Sequence, residues 1–448
     1  DIVINNNNEQ PVRIGHIDLA IRNYLSYTPD SVYAIRFDSI HIVRNRMILD
    51  NFTIATSAHA KVNLKGTYSI RRFILTDVSW ADLLLDKQLN ARQATLYKPD
   101  IRVSVHHTAD GKKNKPSLYE VFNILNDNFQ LDEFSIRRGS IYFKPSPDVL
   151  LQLKEVNADI DARALLESEN IRNIGEAISK AGIKKLLYRG RKSALSLNNV
   201  LINGAEGSLR TDSLKFKSTE SGEQIILQGL YIKGLSVGPD LLSAGSLSWQ
   251  EGAFFGGSSR KTQTAFPAVN FRIGYIEGNH TSLETFAGKY AIKLRIEKMT
   301  TPLIMADSGR LHLENGSFVK GGFLHINSGD VSVEGSSFIL KDDAVSGIAN
   351  FVYRSNSADN SFTLASDKVS FALDVNRLFN RREYLINTLT IHQPEFNFRY
   401  WNDQDTLTIS APKRGGETRT AVITLDSLRV KEGKWAAVLR TWRMYDMA

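Results

Sequence analysis

From Tyr33 onward the chain alternates apolar and polar residues, and short polar breaks interrupt the alternation. Tyr33, Ile35 and Phe37 are followed by Ile40 and Ile42, then Met47 and Leu49, then Phe52 and Ile54, with Arg44 to Arg46 as the first break. A period of two sends successive side chains to opposite faces of a strand, so each segment has one apolar and one wet face. Breaks of two to five residues join antiparallel neighbours, because a parallel crossover needs a dozen residues or more. The pattern predicts about thirty short strands at a strand-plus-turn spacing of roughly 8–12 residues.

One phrase recurs within this alternation. Phe134-x-Ile136-x-x-Gly139-x-Ile141, Leu247-x-Trp249-x-x-Gly252-x-Phe254, Leu311-x-Leu313-x-x-Gly316-x-Phe318, Leu324-x-Ile326-x-x-Gly329-x-Val331 and Leu428-x-Val430-x-x-Gly433-x-Trp435 share it. Its fixed members are apolar residues and a glycine, which is a mark of architecture rather than of chemistry. The glycine is expected at a turn or bulge of positive φ, where a Cβ is penalised.

A longer phrase, Val78 to Val105, resembles the stretch from Val369 to Trp401, and a looser copy starts at Leu235. Each carries an Asp (Asp82, Asp240, Asp374) placed to cap a short helix ahead of a Leu-rich turn. Pro99 and Pro394 stand before strands, where a missing N–H is tolerated at a sheet margin. The expected organisation is an N-terminal segment 1–32, a β module 33–160, a helical insertion 161–190, and further β modules 191–320 and 321–448. Ile171, Ile174 and Ile178 set the helical spacing of the insertion, and Pro116 to Leu125 reads as a second, shorter helix.

Composition excludes several classes. The 448 residues contain no cysteine, which removes disulfides, thiol chemistry and Cys-ligated zinc. His106 and His107 are strand neighbours that point to opposite faces, so no metal site is expected. Thr108 to Pro116 lacks the strand-to-helix setting of a phosphate loop, and no Gly-x-Ser-x-Gly elbow occurs. No catalytic residue and no cofactor is expected. The net charge of +8 is scattered over alternate strand positions, as a solvated strand face requires, and nucleic acid is not an expected partner. Phe396, Phe398 and Tyr400 read as one face of a strand rather than as a base-stacking platform.

The run from Val78 to Val105, then Asp110 to Asn114, then Phe129 to Phe143 resembles the AsmA family, with its TamB- and YhdP-related bridge-like lipid transfer proteins of the Gram-negative envelope. The resemblance covers Tyr33 to Ala158 best and the later modules less well. It implies an elongated antiparallel sheet curled into a repeat-built groove, β-taco-like, whose inner face carries acyl chains. It further implies a periplasmic body anchored in the inner membrane by a segment upstream of Asp1, phospholipid or another acyl lipid as ligand, and a role in outer-membrane biogenesis. The residues themselves argue in the same direction, because an apolar sheet face must be covered by a second layer, a partner or a lipid. The fold class expected is mainly β, with a few short helices and the one longer insertion. The candidate lipid-binding residues are Phe134, Ile136, Ile141, Leu247, Trp249, Leu311, Leu313, Phe396, Phe398, Leu428 and Val430. The competing expectation is a β-rich envelope structural or assembly protein that holds protein partners through sheet edges.

Overall fold

A computed structural model describes residues 2–4, 12–14, 17–28, 31–57, 64–86, 88–105, 129–167, 177–237, 241–256, 270–287, 289–307, 310–314, 316–342, 345–356, 360–373, 386–400, 421–423, 427–431 and 442–444. The protein is mainly β. It divides into two compact units, 1–219 and 220–448.

In the first unit, β1 (Ile2–Ile4) and β2 (Val12–Ile14) pair with each other and with no other described strand. The main sheet follows in chain order: β3 (Ile17–Tyr27), β4 (Tyr33–Arg44), β5 (Arg46–Thr56), β6 (Leu64–Thr76) and β7 (Leu89–Val105). It continues through β8 (Phe129–Ser146), β9 (Val149–Asp161), β10 (Ile178–Arg189), β11 (Ser193–Asn203) and β12 (Ser208–Ser218). Each strand pairs with the next, antiparallel throughout except for β7 and β8, which run parallel. The chain from 106 to 128, long enough for a crossover, lies between those two strands.

The second unit opens with β13 (Gln224–Lys233), β14 (Ser236–Val237), β15 (Leu241–Ala244), β16 (Ser246–Trp249), β17 (Glu251–Phe255) and β18 (Asn270–Ile273). Then come β19 (Ile276–Ala287), β20 (Tyr290–Thr301), β21 (Ile304–Asp307), β22 (Arg310–Leu313), β23 (Phe318–Asn327), β24 (Val331–Gly335) and β25 (Ser337–Lys341). The last are β26 (Val345–Asn356), β27 (Asn360–Leu373), β28 (Ile386–His392), β29 (Glu395–Tyr400), β30 (Ala421–Ile423), β31 (Ser427–Lys431) and β32 (Trp442–Met444). Its large sheet runs β13, β16/β17, β19, β20, β23, β24/β25, β26, β27, β28/β29, and β31 joins β28 in parallel. A smaller sheet orders β14, β15, β18, β21 and β22, and β30 pairs with β32.

Three copies of the recurrent phrase therefore lie on strands with a parallel neighbour: β8 beside β7, β16/β17 beside β19, and β31 beside β28. The antiparallel-only expectation fails at these joins, and each has enough chain for the longer connection.

The helical insertion expected over 161–190 is corrected. Ala162–Glu167 is an α-helix, residues 168–176 lie outside the described residues, and Ile178–Arg189 is a strand paired on both sides. Of the residues that set the helical spacing, Ile171 and Ile174 lie outside the described residues and Ile178 opens the strand. The strand is kinked at Lys184, where the register partners on both sides drop out and Ala181, Ile183, Leu186 and Tyr188 share one face. The expected helix 116–125, His106, His107, Asp240, Asp374 and Gly433 lie outside the described residues.

A crease across the strands

The kink is not confined to β10. In every pair of the first unit's sheet the register partners drop out at one level: between Arg36 and Ser39 on β4, at Asn51 on β5, at Arg71 on β6, at Lys98 on β7 and at Asn199 on β11. Asn23, Asn51, Lys98, Arg138, Glu155 and Asn199, all at this level, have φ between 50 and 57°. A left-handed residue adds one position to the strand, so residues three apart return to the same face. Because neighbouring strands share the insertion, register resumes beyond it: Ile40 still faces Leu49, and Ile35 still faces Ile54. Asn51 Nδ2 donates to Asp38 Oδ2 at 2.8 Å, and Asn199 Nδ2 donates to Asp212 Oδ2 at 2.6 Å. The second unit has its own crease, with Gly229 (φ 61°), His280 (φ 40°) and Asn350 (φ 48°) on β13, β19 and β26.

The recurrent glycine now has two explanations, and the expected one holds only in part. Gly316 and Gly329, at φ 103° and 87°, take the positive-φ positions foreseen for them. Gly139 and Gly252 do not. At Gly139 the left-handed residue is its neighbour Arg138 (φ 56°). A Cβ on Gly139 would lie 2.9 Å from Ile136 Cγ2 and 3.1 Å from Pro99 Cγ, and one on Gly252 would lie 2.7 Å from Trp249 Nε1. Close packing under the crease, not backbone freedom, selects glycine there. Pro99 is corrected too: it sits inside an interior strand, at the crease, where the ladder already lacks a bond.

Candidate functional site

Register partners share a face, so the pairings in the first unit define rows of side chains running across the strands. On one side of the crease, Ile40, Leu49, Phe73, Leu96, Ile136 and Ala158 form one row; on the other side, Phe37, Phe52, Ile70, Pro99 and Val156 form the next. Further rows carry Tyr68, Ile101, Ile141, Leu153 and Leu186. The opposite face carries Arg36, Asp50, Arg72, Asp100, Arg137 and Asp159. Ten strands at about 4.8 Å spacing make each row roughly 40 Å long.

This apolar face is not buried as a sealed core is. Some residues beside the crease are closed off, among them Phe37 at 7% exposure and Val200 at 2%. Phe134, Ile136, Ile141, Ile70, Leu153 and Ile183 are only half-buried, and Phe143 is exposed. A facing layer at native packing density would bring such side chains close to zero.

One end of the face is capped. Val78, Trp80, Ala91, Leu131 and Ala162 join Leu75 and Ala94 in a buried cluster, with Phe134 packed on its edge. Trp80 Nε1 donates to the Arg44 carbonyl, and a π-helical turn, Asp82–Asp86, lies beside β7. Asp82 does not cap that turn as expected. Its own N–H donates to Ser79 Oγ at 3.4 Å, while its carboxylate accepts from Asn90 Nδ2 at 2.7 Å.

The second unit brings Leu247 and Trp249 onto its large sheet, Leu247 beside Ile232 and Ile276 and Trp249 beside Gly278. Leu247 is half-buried; Trp249, at 5% exposure, is packed over Gly252 and Gly278, with Nε1 donating to Thr281 Oγ1 at 2.9 Å. The backbone of Phe396 and Phe398 pairs with Leu364 and Phe362, and that of Leu428 and Val430 with Leu389 and Ile391. Leu311 and Leu313 belong to the smaller sheet, paired with Ala306 and Ile304. The eleven candidates are thus distributed over both units, and Leu311 and Leu313 stand on a separate, smaller sheet.

The rows from β4 to β7 and from β9 to β12 had no place among the sequence candidates. Their signal was present: Phe37 to Ile40, Leu49 to Phe52, Ile70 to Phe73, Ile183 to Leu186 and Leu197 to Val200 each show the same three-residue step that the glycine phrase shows.

Electrostatics on the opposite face is local. Asp159 is drawn upward by burial, but hydrogen bonds from Arg137 and Ser135, at 2.6 and 2.8 Å, and the charges of Arg137 and Lys180 hold it below the ordinary carboxylate value of 3.8. Among the described residues no three His, Asp or Glu side chains are grouped to hold a metal ion, and no helix is long and apolar enough to cross a membrane. Compared with protein-family models and with curated proteins, the chain returns no match.

Proposed function

We propose that the protein is a lipid-binding and lipid-transfer scaffold of the bacterial envelope, in which the apolar rows shield acyl chains while the charged face meets water. The observation that carries this reading is a ten-strand apolar face left half-exposed along its rows and capped at one end by the Trp80 cluster. Each methylene that leaves water contributes about 0.8 kcal/mol, so one acyl chain gains on the order of 10 kcal/mol on such a surface. That gain extracts a lipid without a chemical step, and the reading assigns no catalytic residue and no cofactor. The finer elements of the reading are a repeat-built groove, phospholipid as cargo, and a periplasmic body held at the inner membrane. They are supported by the resemblance of the Val78 to Phe143 region to AsmA-type proteins.

The test is native mass spectrometry and organic extraction of the purified protein, beside the variant Ile136→Asp with Ile183→Asp. The expected result is phospholipid at a stoichiometric level in the wild type and its loss from a variant whose circular dichroism is unchanged. Lipid-free wild type, or a variant that unfolds completely, counts against the reading. Cell fractionation tests the location, an inner-membrane fraction being expected and a cytosolic one contrary.

A second reading, partner binding through a sheet edge, is favoured by β3. Its eleven residues pair with β4 and with no other described strand, and Leu19, Leu25 and Tyr27 are 46, 59 and 57% exposed. A stable protein partner in place of lipid in the same mass spectra is the result expected from it.

A further inference from the structure

Beyond the acyl face, the crease places three cations side by side. Register sets Arg71 of β6 beside Lys98 of β7, between the pairs Ile70 with Pro99 and Arg72 with Tyr97. It sets Lys98 beside Arg138 of β8, between Tyr97 with Arg137 and Asp100 with Ser140. All three side chains are exposed. Neighbouring charges are matched: Arg72 with Asp50 at 2.6 Å, Arg137 with Asp159 at 2.6 Å, Arg102 with Asp100 at 2.8 Å and Lys184 with Glu155 at 2.7 Å. Arg71, Lys98 and Arg138 make no ion pair among the described residues. Like charges on adjacent strands repel, so folding alone does not favour this arrangement.

A second, independent observation concerns the backbone. Elsewhere the left-handed positions of the two creases are held by Asn23, Asn51, Asn199, Asn350 and Gly229, residue types that tolerate this conformation, and by Glu155 and His280. Lys98 (φ 50°) and Arg138 (φ 56°) occupy it on two adjacent strands, although a long side chain gains nothing there from local geometry. Between them opens a cleft of about 480 Å³, lined also by Pro99, Asp100, Ser140 and Glu155. Its two carboxylates are those already engaged by Arg102 and Lys184, and Ser140 adds a hydroxyl donor.

We propose that Lys98 and Arg138, backed by Arg71, form a binding site for a phosphate group on the face opposite the apolar rows. A guanidinium and an ammonium converging on one anion supply charge-assisted hydrogen bonds, and the anion relieves the repulsion among the three cations. The phosphate can come from a soluble phosphate or from the headgroup of an anionic lipid.

The test uses the full chain and the double variant Lys98→Asn with Arg138→Asn. Pyrophosphate is titrated by calorimetry, and vesicles of phosphatidylcholine with and without phosphatidylglycerol are assayed by co-sedimentation, each at low and high salt. The wild type is expected to bind pyrophosphate, phosphatidylglycerol vesicles or both, more weakly at high salt, and the variant to lose at least about tenfold in affinity. Because Asn suits the left-handed backbone, the variant is expected to keep or raise its thermal midpoint, so lost binding is not lost folding. Pyrophosphate alone identifies a soluble source, anionic vesicles alone a headgroup, and both a site for any accessible phosphate. A wild type that binds neither probe, or a variant that binds as the wild type does, overturns the proposal. Lipid recovered by organic extraction reports the apolar rows instead and is expected to be the same in both proteins.

Discussion

Thr211 is fully buried, and its hydroxyl donates to the Asn198 carbonyl at 2.6 Å. That carbonyl sits beside the left-handed Asn199, where the ladder is interrupted, so the hydroxyl replaces a backbone partner that the crease removed. Ser366 does the same in the second unit, 2.5 Å from the His392 carbonyl. Thr211→Val keeps the shape and removes the donor, and is expected to lower stability by about 1–3 kcal/mol in urea denaturation. Asp159 supplies a pH test. Its folded value lies below 3.8, so it contributes stability above its unfolded value and loses that contribution as pH falls through the folded one. The stability difference between wild type and Asp159→Asn should therefore be constant from neutral pH down to about 5 and shrink below about pH 4. A difference that grows on acidification would contradict the assignment.

Among the elements, the strands were legible and their irregularities were not. Alternation located β4, β5 and the Arg44–Arg46 turn, because a wet face and an apolar face write period two directly. The helix expected over 161–190 was read from Ile171, Ile174 and Ile178, a spacing of three and four that did not reveal β10, where one inserted residue shifts the phase of period two by half a cycle at Lys184. Pro99 was expected at a margin because proline lacks an N–H, whereas the crease gives it a place inside β7. The segment holding Trp80 is an element of a different kind, since it covers the end of a sheet rather than extending it. Trp80→Ala is expected to cost about 3–5 kcal/mol and to expose Leu75 and Ala94, read as a lowered urea midpoint with increased binding of a hydrophobic dye.

At the scale of the molecule, a lipid that binds only the folded state stabilises it by mass action, about 2.7 kcal/mol at a hundredfold excess over Kd. Protein stripped of lipid should melt lower than protein as purified, and recover on adding phospholipid in detergent; unchanged melting would argue that the apolar face is already satisfied. The amino-acid pattern by itself determined that this chain forms antiparallel strands with one oily side, since alternation is a local property that each segment carries alone. The three-residue step at which strands of the first unit bend is also present in the sequence, but by itself it does not separate a bent strand from a helix. Only the tertiary structure decided which steps align, that β7 and β8 run parallel, that Leu311 and Leu313 join a different sheet, and that three cations meet on one rung. Those facts depend on which strand lies beside which, and pairing between residues far apart in the chain leaves no periodicity within either of them.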